Sequence, residues 1–336
     1  KITNMKNITL KALAFALLIF GSAITVSAQS GKETMRAKQI PLEDFFKNPE
    51  KSSYQISPNG EYFSFMAPYE SRMNIFVQKR GEKEAIRLTS ETDRDIAGYF
   101  WPNDKQILYV KDDGGNENYK LFGVNIDGTN PICYTDFEDV RTQIIDDLQD
   151  IPSEVIIGMN KRDPQVFDPY RLNIETGDME MIAENPGNIQ GWMFDHAGKL
   201  RVAYAITDGI NTTLLYRETE KDEWKDVLTT NFKENMSPAF FTFDNKNVIG
   251  SSNLGRDKSA IVEFDIANGK EVKVLYENKD YDVESVFYSR KRKVITSASY
   301  TSWKRERHFF DKETAKMFKR LEKDLGGYEI AITAMN

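Results

Sequence analysis

The chemistry that this sequence could offer begins with its two histidines, His196 and His308, and with any serine that either could activate. A nucleophile elbow needs the pattern G-x-S-x-G, because a sharp strand-to-helix turn must present the serine hydroxyl. The nearest stretch, Gly250-Ser251-Ser252-Asn253, lacks the closing glycine. His196 falls in a predicted hairpin turn and His308 in a predicted strand, and neither has a serine partner in its context. We therefore predict no catalytic residue in this chain.

The sequence also gives no support for cofactor or metal chemistry. Cys133 is the only cysteine, so no intrachain disulfide can form, and two histidines do not supply a His-rich zinc site. Gly114-Gly115 is too short a glycine run to cradle a phosphate. The net charge is −7, and the one dense basic run, residues 290–293, is interpreted as a solvated turn. The sequence thus predicts no cofactor, no metal and no nucleic-acid partner.

A repeated phrase indicates which elements must position any functional residues. The phrase is an apolar strand, one polar residue, a short turn and a second strand. The polar residues are Gln78, Asn125, Asn173, Arg217, Asp265 and Asp311, with spacings of 47, 48, 44, 48 and 46. Gly128, Gly177 and Gly269 supply the positive φ that tight hairpins need. A period of this length is typical of a β-propeller built from four-stranded blades.

A second set of turns marks the inner hairpin of each blade, between its strands A and B. These turns are at 57–60, 102–104, 152–154, 195–198, 244–247 and 290–293. Together the two sets predict an all-β propeller with six complete four-stranded antiparallel blades. In the sixth blade, residues 308–318 are assigned to the outer hairpin between strands C and D, and Tyr328–Ala334 to the first strand of a seventh blade.

In this topology the B–C loops of all blades lie on one face. Loops on a rigid scaffold often bind ligands or partners. The first candidates for a face towards another domain or a peptide are Arg162 and Asp163 in NKRDP, and Arg256 and Asp257 in LGRDK. The alternative is that each Arg-Asp pair only holds its own loop together. The acid pair Asp146-Asp147 would suit glycoside chemistry, but a propeller glycosidase would need acids from several blades at the axis.

The N-terminal stretch has the pattern of an export signal. Met5-Lys6 and Lys11 form a basic start, an apolar run follows, and Val26-Ser27-Ala28 offers small residues for cleavage. We predict a signal peptide at 1–28 with Met5 as the true start, an extension at 29–50 and an incomplete propeller at 51–336. An uncleaved membrane anchor is the alternative. The product is expected to be exported, periplasmic or extracellular, without stable membrane insertion after cleavage.

Several loop phrases of this chain resemble a known family. They are LTSETDRDIAGYFW (88–101), IIGMNKRDPQVFDPYRLNIETG (156–177), FFTFDNKN (240–247), SNLGRDKSAIVEFD (252–265) and YSRKRK (288–293). They look like the N-terminal propeller of bacterial prolyl-oligopeptidase-type (S9) serine peptidases, in the dipeptidyl aminopeptidase and acylaminoacyl-peptidase group. The resemblance covers about residues 40 to 336.

The resemblance implies a function and two partners. In that family an α/β-hydrolase domain carrying Ser, Asp and His follows the propeller, and we expect this sequence to end before that domain. The chain would then filter and bind short peptide substrates, while the C-terminal hydrolase domain of the same polypeptide supplies the chemistry. The paired-glutamate feature of the dipeptidyl-peptidase-IV type is not recognisable, which leaves dipeptide release open. A stand-alone periplasmic propeller that binds proteins, as TolB does, is the alternative.

Overall fold

The computed structural model describes residues 38–332 of the chain, and these fall into two units. The predicted signal peptide lies outside the described residues. The described part of the first unit, residues 38–47, contains one short helix, α1 (Leu42–Phe46). No helix among residues 38–332 has the length and apolar character needed to cross a membrane. Everything that follows concerns the second unit, from Asn48 onward.

Twenty-three strands of the second unit form six sheets, each built from strands that are consecutive in the chain. The first sheet contains β1 (Ser52–Ile56), β2 (Tyr62–Tyr69), β3 (Arg72–Lys79) and β4 (Ala85–Arg87), and the second β5 (Gly98–Phe100), β6 (Gln106–Lys111), β7 (Lys120–Asn125) and β8 (Ile132–Cys133). The third contains β9 (Thr142–Asp146), β10 (Glu154–Asp163), β11 (Val166–Asn173) and β12 (Met179–Met181). The fourth contains β13 (Ile189–Phe194), β14 (Leu200–Thr207), β15 (Asn211–Tyr216) and β16 (Lys225–Thr230). The fifth contains β17 (Met236–Phe241), β18 (Val248–Ser252), β19 (Ala260–Asp265) and β20 (Lys270–Tyr276), and the sixth β21 (Val283–Ser289), β22 (Val294–Thr301) and β23 (Arg305–Phe309).

All six sheets are antiparallel meanders, in which each strand pairs with the strands before and after it. The predicted fold class, an all-β propeller, is confirmed. All six predicted A–B turns lie between the first and second strands of their sheets. In such a meander the A–B and C–D turns lie at one end, and the B–C turns and the D–A connections lie at the other.

Most of the apolar core lies between successive sheets. Five clusters each join two neighbouring sheets, through Ile75 with Ile107, Leu121 with Ile157, Ile156 with Leu200, Val202 with Phe264, and Ile261 with Ala298. Ile156 and Ile157 belong to different clusters because successive side chains of a strand point to opposite faces. The middle strands are therefore buried on both faces, which explains their continuous apolar runs.

Hydrogen bonds also link the A–B turns of neighbouring sheets. The backbone N–H of Asn59 donates to Oδ1 of Asp104 at 2.8 Å, and Nδ2 of Asn103 donates to the carbonyl of Pro152 at 3.0 Å. The N–H of His196 donates to Oδ1 of Asn245 at 3.0 Å. Asn and Asp thus recur in these turns partly because their side chains reach the next turn.

The sixth sheet differs from its prediction. The outer hairpin expected at 308–318 is wrong: β23 is followed by helix α2 (Lys312–Asp324). Asp311 is its N-cap, and its side chain accepts from the N–H of Thr314 at 2.8 Å. Phe318 of α2 packs on Phe309 with ring centroids 5.2 Å apart. In the predicted seventh-blade strand, residues 328–332 form no strand, and the rest lies outside the described residues.

Candidate functional site

A pocket of about 80 Å³ lies where four A strands end. Each of sheets three to six contributes residues at the end of its first strand, and all but the fifth also contribute residues of the following turn. The lining residues are Asp146, Leu148, Asp150, Ile151, Met193, Phe194, Asp195, His196, Ala239, Phe240, Phe241, Tyr288 and Arg290. Because every contribution comes from the same position along its sheet, the pocket lies at the A–B end of the propeller axis. We call it the axial pocket.

Aromatic rings form one wall of the axial pocket. Phe240 and Tyr288 stack with centroids 4.1 Å apart, and His196 stacks on Phe243 at 5.5 Å. Nε2 of His196 is 2.9 Å from the carbonyl oxygen of Phe241. A carbonyl only accepts, so Nε2 must carry the proton. This contact fixes the ring and assigns His196 a structural role in the wall.

Arg290 brings a positive charge to the rim of the axial pocket. Its Nη2 donates to Oη of Tyr288 at 3.2 Å, and its Nη1 is 3.8 Å from Oδ2 of Asp150. Burial alone would lower the pKa of Arg290, but the Tyr288 hydroxyl and the carboxylates of Asp147 and Asp150 outweigh it, so the pKa is raised. The guanidinium therefore stays charged in a partly desolvated position.

Asp146 is the carboxyl group most affected by the pocket. Burial raises its pKa, and the neighbouring Asp147 adds to this effect. The hydrogen bond from the N–H of Leu148, at 2.9 Å, and the charges of Arg290 and His196 act in the opposite direction without cancelling it. Folding therefore costs free energy when Asp146 is ionised.

We predict that Asp146→Asn raises the melting temperature at pH 7 to 8. The amide oxygen can still accept from Leu148, while the desolvated charge is removed. Since the folded-state pKa of Asp146 is raised, its cost is absent below the unfolded-state value and grows as pH rises through the folded-state value. The difference from the parent should thus vanish near pH 3, as thermal unfolding across a pH series would show.

Asp163→Asn is the control, because the Asp163 side chain accepts a hydrogen bond only from the near backbone N–H of Gln165 at the exposed surface, away from the axial pocket. It should change the melting temperature little at any pH. An Asp146→Asn variant that is less stable than the parent at pH 8 would contradict the prediction, since attraction to Arg290 and His196 would then outweigh burial.

The sequence-predicted residues lie at the opposite end of the sheets. β10 runs to Asp163 and β11 starts at Val166, so the B–C turn next to Arg162 and Asp163 is a tight hairpin rather than a long loop. Nε and Nη2 of Arg162 bind the two oxygens of Asp168 at 2.9 and 3.1 Å, and Nη2 also donates to the carbonyl of Asn185. Asp168 is 0% exposed. Arg162 is thus tied into its own sheet, and not to the adjacent Asp163.

Arg256 is held in the same manner. Its Nη1 and Nη2 contact the two oxygens of Glu271 at 3.1 and 2.5 Å. The Asp257 side chain is 91% exposed, and Asp163 accepts only from the N–H of Gln165. Arg256 and Asp257 also line an open groove with Lys258, Glu277, Asn278 and Lys279. The structure does not bring residues 162–163 and 256–257 together in one pocket, and their role as an interface stays a prediction.

The axial pocket is not among the sites that the sequence predicts. The sequence predicts a solvated turn at 290–293, and for Asp146 it suggests only glycoside chemistry. A usable signal was present, because Asp146, Phe194, Phe241 and Tyr288 stand at equivalent positions in their repeats. Aligning the repeats on their A–B turns would have placed these residues around one axis.

The fold and the axial pocket define the class of this chain as a β-propeller, and comparisons with known proteins narrow it. Dipeptidyl aminopeptidase BIII of Pseudoxanthomonas mexicana is 28% identical over 277 residues, covering 80% of this chain and 39% of that protein. Dipeptidyl peptidase family member 6 of Caenorhabditis elegans is 25% identical over 260 residues, covering 70% of this chain and 34% of that protein. The resemblance to propellers of S9-type peptidases is thereby confirmed. No protein-family model matches the chain.

Among solved structures, an acylaminoacyl peptidase of Pyrococcus horikoshii is similar with a TM-score of 0.46 and 13% identity. The match covers 82% of this chain and 47% of that one. The fold assignment rests on the sheets and their order rather than on this likeness. The chain spans between one third and two fifths of the length of the two curated relatives.

Proposed function

We propose that this chain is the propeller portion of an exported S9-type serine peptidase that acts on short peptides. The observation that carries the proposal is the 28% identity to a dipeptidyl aminopeptidase over 80% of the chain. A match of that extent must include most of the six sheets, and it lies in a protein more than twice as long. In the proposed division of labour, an α/β-hydrolase domain of the same polypeptide breaks the peptide bond and the propeller controls which peptides reach it.

The contacts of both histidines support this division. The ring of His196 is fixed by the Phe241 carbonyl and the Phe243 ring. His308 stacks on Tyr276 with centroids 4.0 Å apart, and burial lowers its pKa. A triad needs a histidine that is hydrogen-bonded to a serine and oriented by an acid. Neither histidine has these partners among residues 38–332, so acyl-transfer chemistry is assigned to the hydrolase domain.

The propeller's own contribution in this proposal is steric. Its sheets are fixed to one another by five apolar clusters and by turn-to-turn hydrogen bonds. Sheets fixed in this way would exclude folded proteins from a site that they cover, while an extended peptide needs only a narrow passage. We accordingly propose short or unstructured peptides as the substrate class.

We expect the chain alone to hydrolyse no peptide. Purified residues 29–336 should give no turnover of chromogenic dipeptidyl and acylaminoacyl substrates and no labelling by a serine-directed phosphonate. The product of the complete coding sequence should give both, and its phosphonate-labelled serine should lie in a G-x-S-x-G pattern.

Two outcomes would overturn the proposal. Labelling of the chain alone, surviving further purification, would place the nucleophile within these residues. A complete product that neither hydrolyses peptides nor takes the label would favour the stand-alone binding propeller instead.

A further inference from the structure

The axial pocket joins two sheets that are not neighbours. Arg290 belongs to the A–B turn of the sixth sheet and Asp150 to that of the third, yet their side chains are 3.8 Å apart. Sheets four and five lie between them in the order of the blades. In a ring of six or more blades, side chains from the third and sixth can meet only across the axis. The contact therefore spans the space between the first strands of sheets three to six at their A–B end.

Tyr288 positions the arginine for this crossing. Its hydroxyl accepts from Nη2 of Arg290 at 3.2 Å, and its ring stacks on Phe240 of the fifth sheet at 4.1 Å. The edge of the Tyr288 ring also faces His196 of the fourth sheet at 6.2 Å. Residues from four sheets thus converge at the A–B end, and a long cationic side chain passes between them.

We propose that Arg290, Tyr288 and Asp150 form a bar that closes the A–B end of a central channel, so that a short peptide enters only from the opposite end. There the B–C turns and D–A connections lie, including the groove next to Arg256 and Asp257. The identity of the substrate rests on the proposed function, but the bar is a property of this chain alone. It assigns Arg290 a role in controlling access that is independent of the peptidase chemistry.

Substituting the charged residues of the bar should not unfold the propeller. The Arg290 and Asp150 side chains are 26% and 54% exposed, and an ion pair of that exposure adds little to stability. The enclosed volume of about 80 Å³ is enough for a few water molecules. Replacing either charged residue should therefore open this end while the apolar clusters between the sheets remain intact.

Two cysteine probes on one strand can test the bar. Ala239 and Ser237 are both exposed on the same face of β17, and Ala239 lines the axial pocket while Ser237 lies towards the opposite end. Ala239→Cys and Ser237→Cys would each be made in a Cys133→Ser background. Each would be treated with iodoacetamide and with a polyethylene-glycol maleimide. The bulky reagent should modify the Ser237→Cys variant readily and the Ala239→Cys variant slowly, while iodoacetamide modifies both.

Adding Arg290→Ala or Asp150→Ala should raise the rate of bulky modification of the Ala239→Cys variant by about tenfold or more, because access no longer waits for a transient opening. Arg292→Ala is the matched control, since Arg292 binds Asp311 and Glu313 beside its own sheet and should change neither rate.

Three results would overturn the bar. The first is equal reactivity of the Ala239→Cys variant towards the bulky and the small reagent while Arg290 and Asp150 are both intact. The second is an unchanged rate after both alanine substitutions. The third is equal acceleration at both probes, since that reports a loosened ring. Asp150 is exposed in a turn, so we expect Asp150→Ala to fold. If Arg290→Ala unfolds, the modification rate measured with Asp150→Ala tests the bar. No readout depends on peptidase activity, so the bar and the proposed function can fail separately.

Discussion

Asp168→Ala is expected to lower the free energy of unfolding of the propeller by about 3 kcal/mol. The carboxylate of Asp168 is fully buried, accepts two hydrogen bonds from Arg162, and accepts the backbone N–H of Asn185 at 2.7 Å. Alanine removes all three acceptor contacts and leaves the buried N–H of Asn185 without a partner. Chemical denaturation of the parent and variant would measure the difference.

Two further variants separate charge from hydrogen bonding. Asp168→Asn can still accept from Asn185 but carries no charge opposite Arg162, so its loss should be intermediate. Asp163→Ala removes a carboxylate from the same hairpin whose only hydrogen bond is to the exposed N–H of Gln165, and it should change stability by less than about 0.5 kcal/mol. If Asp168→Ala and Asp163→Ala have equal effects, the Arg162–Asp168 contact does not organise this end of the third sheet.

The same contact changes how the predicted interface should be tested. Reversing the charge of Arg162 would set a carboxylate against buried Asp168, so lost docking could not be told from lost stability. Asp163 and Asp257 are the better positions, because each makes only local surface contacts. Asp163→Lys and Asp257→Lys should leave the melting temperature unchanged while they alter a docked domain or a peptide on that face.

The repeat architecture could be predicted because its signals are local. Each A–B and C–D turn needs specific residues at a fixed offset, such as Gly128 after Asp127, and such turns recur at the blade period. The prediction of an outer hairpin in the sixth sheet was wrong, and the reason is also local. The stretch after Asp311 carries both a polar turn and a helix N-cap signal, and Phe318 gives the helix a partner in Phe309. Apolar packing between α2 and β23 decided between the two.

The partners of the charged side chains could not be predicted in the same way, because these contacts join residues that are not adjacent in sequence. Arg162 and Arg256 each have an acid next to them in sequence, yet they bind Asp168 and Glu271, which lie six and fifteen residues further along the chain on other strands. Arg290 meets Asp150 only because six sheets curve around an axis. The sequence shows that a turn carries a charged residue. Which residue binds that charge depends on the register of the strands and the order of the sheets.

Gly250→Ala is expected to be among the most disruptive single-methyl changes in the propeller, with a loss of about 3 kcal/mol and a lower melting temperature by roughly 5–10 °C. A Cβ at this position would lie 2.3 Å from the carbonyl oxygen of Ser237 and 2.8 Å from Cα of Pro238. Both are backbone atoms of β17, which pairs directly with β18 through Pro238 and Gly250. The clash can be relieved only by moving β17, and that strand carries Phe240 and Phe241 into the axial pocket.

The matched control is Gly98→Ala, where an added Cβ meets nothing within 4 Å. Gly98 also lies in a strand, β5, so the two changes add the same methyl group to the same kind of element. Gly98→Ala should stay within about 0.5 kcal/mol of the parent. The Gly250 variant should in addition disturb the ring stack of Phe240 on Tyr288, which the His196 ring signals would report, since the chain has only two histidines. Equal stability of the two variants would mean that β17 can shift at no cost. Close packing against β17 would then not explain why a glycine stands at position 250.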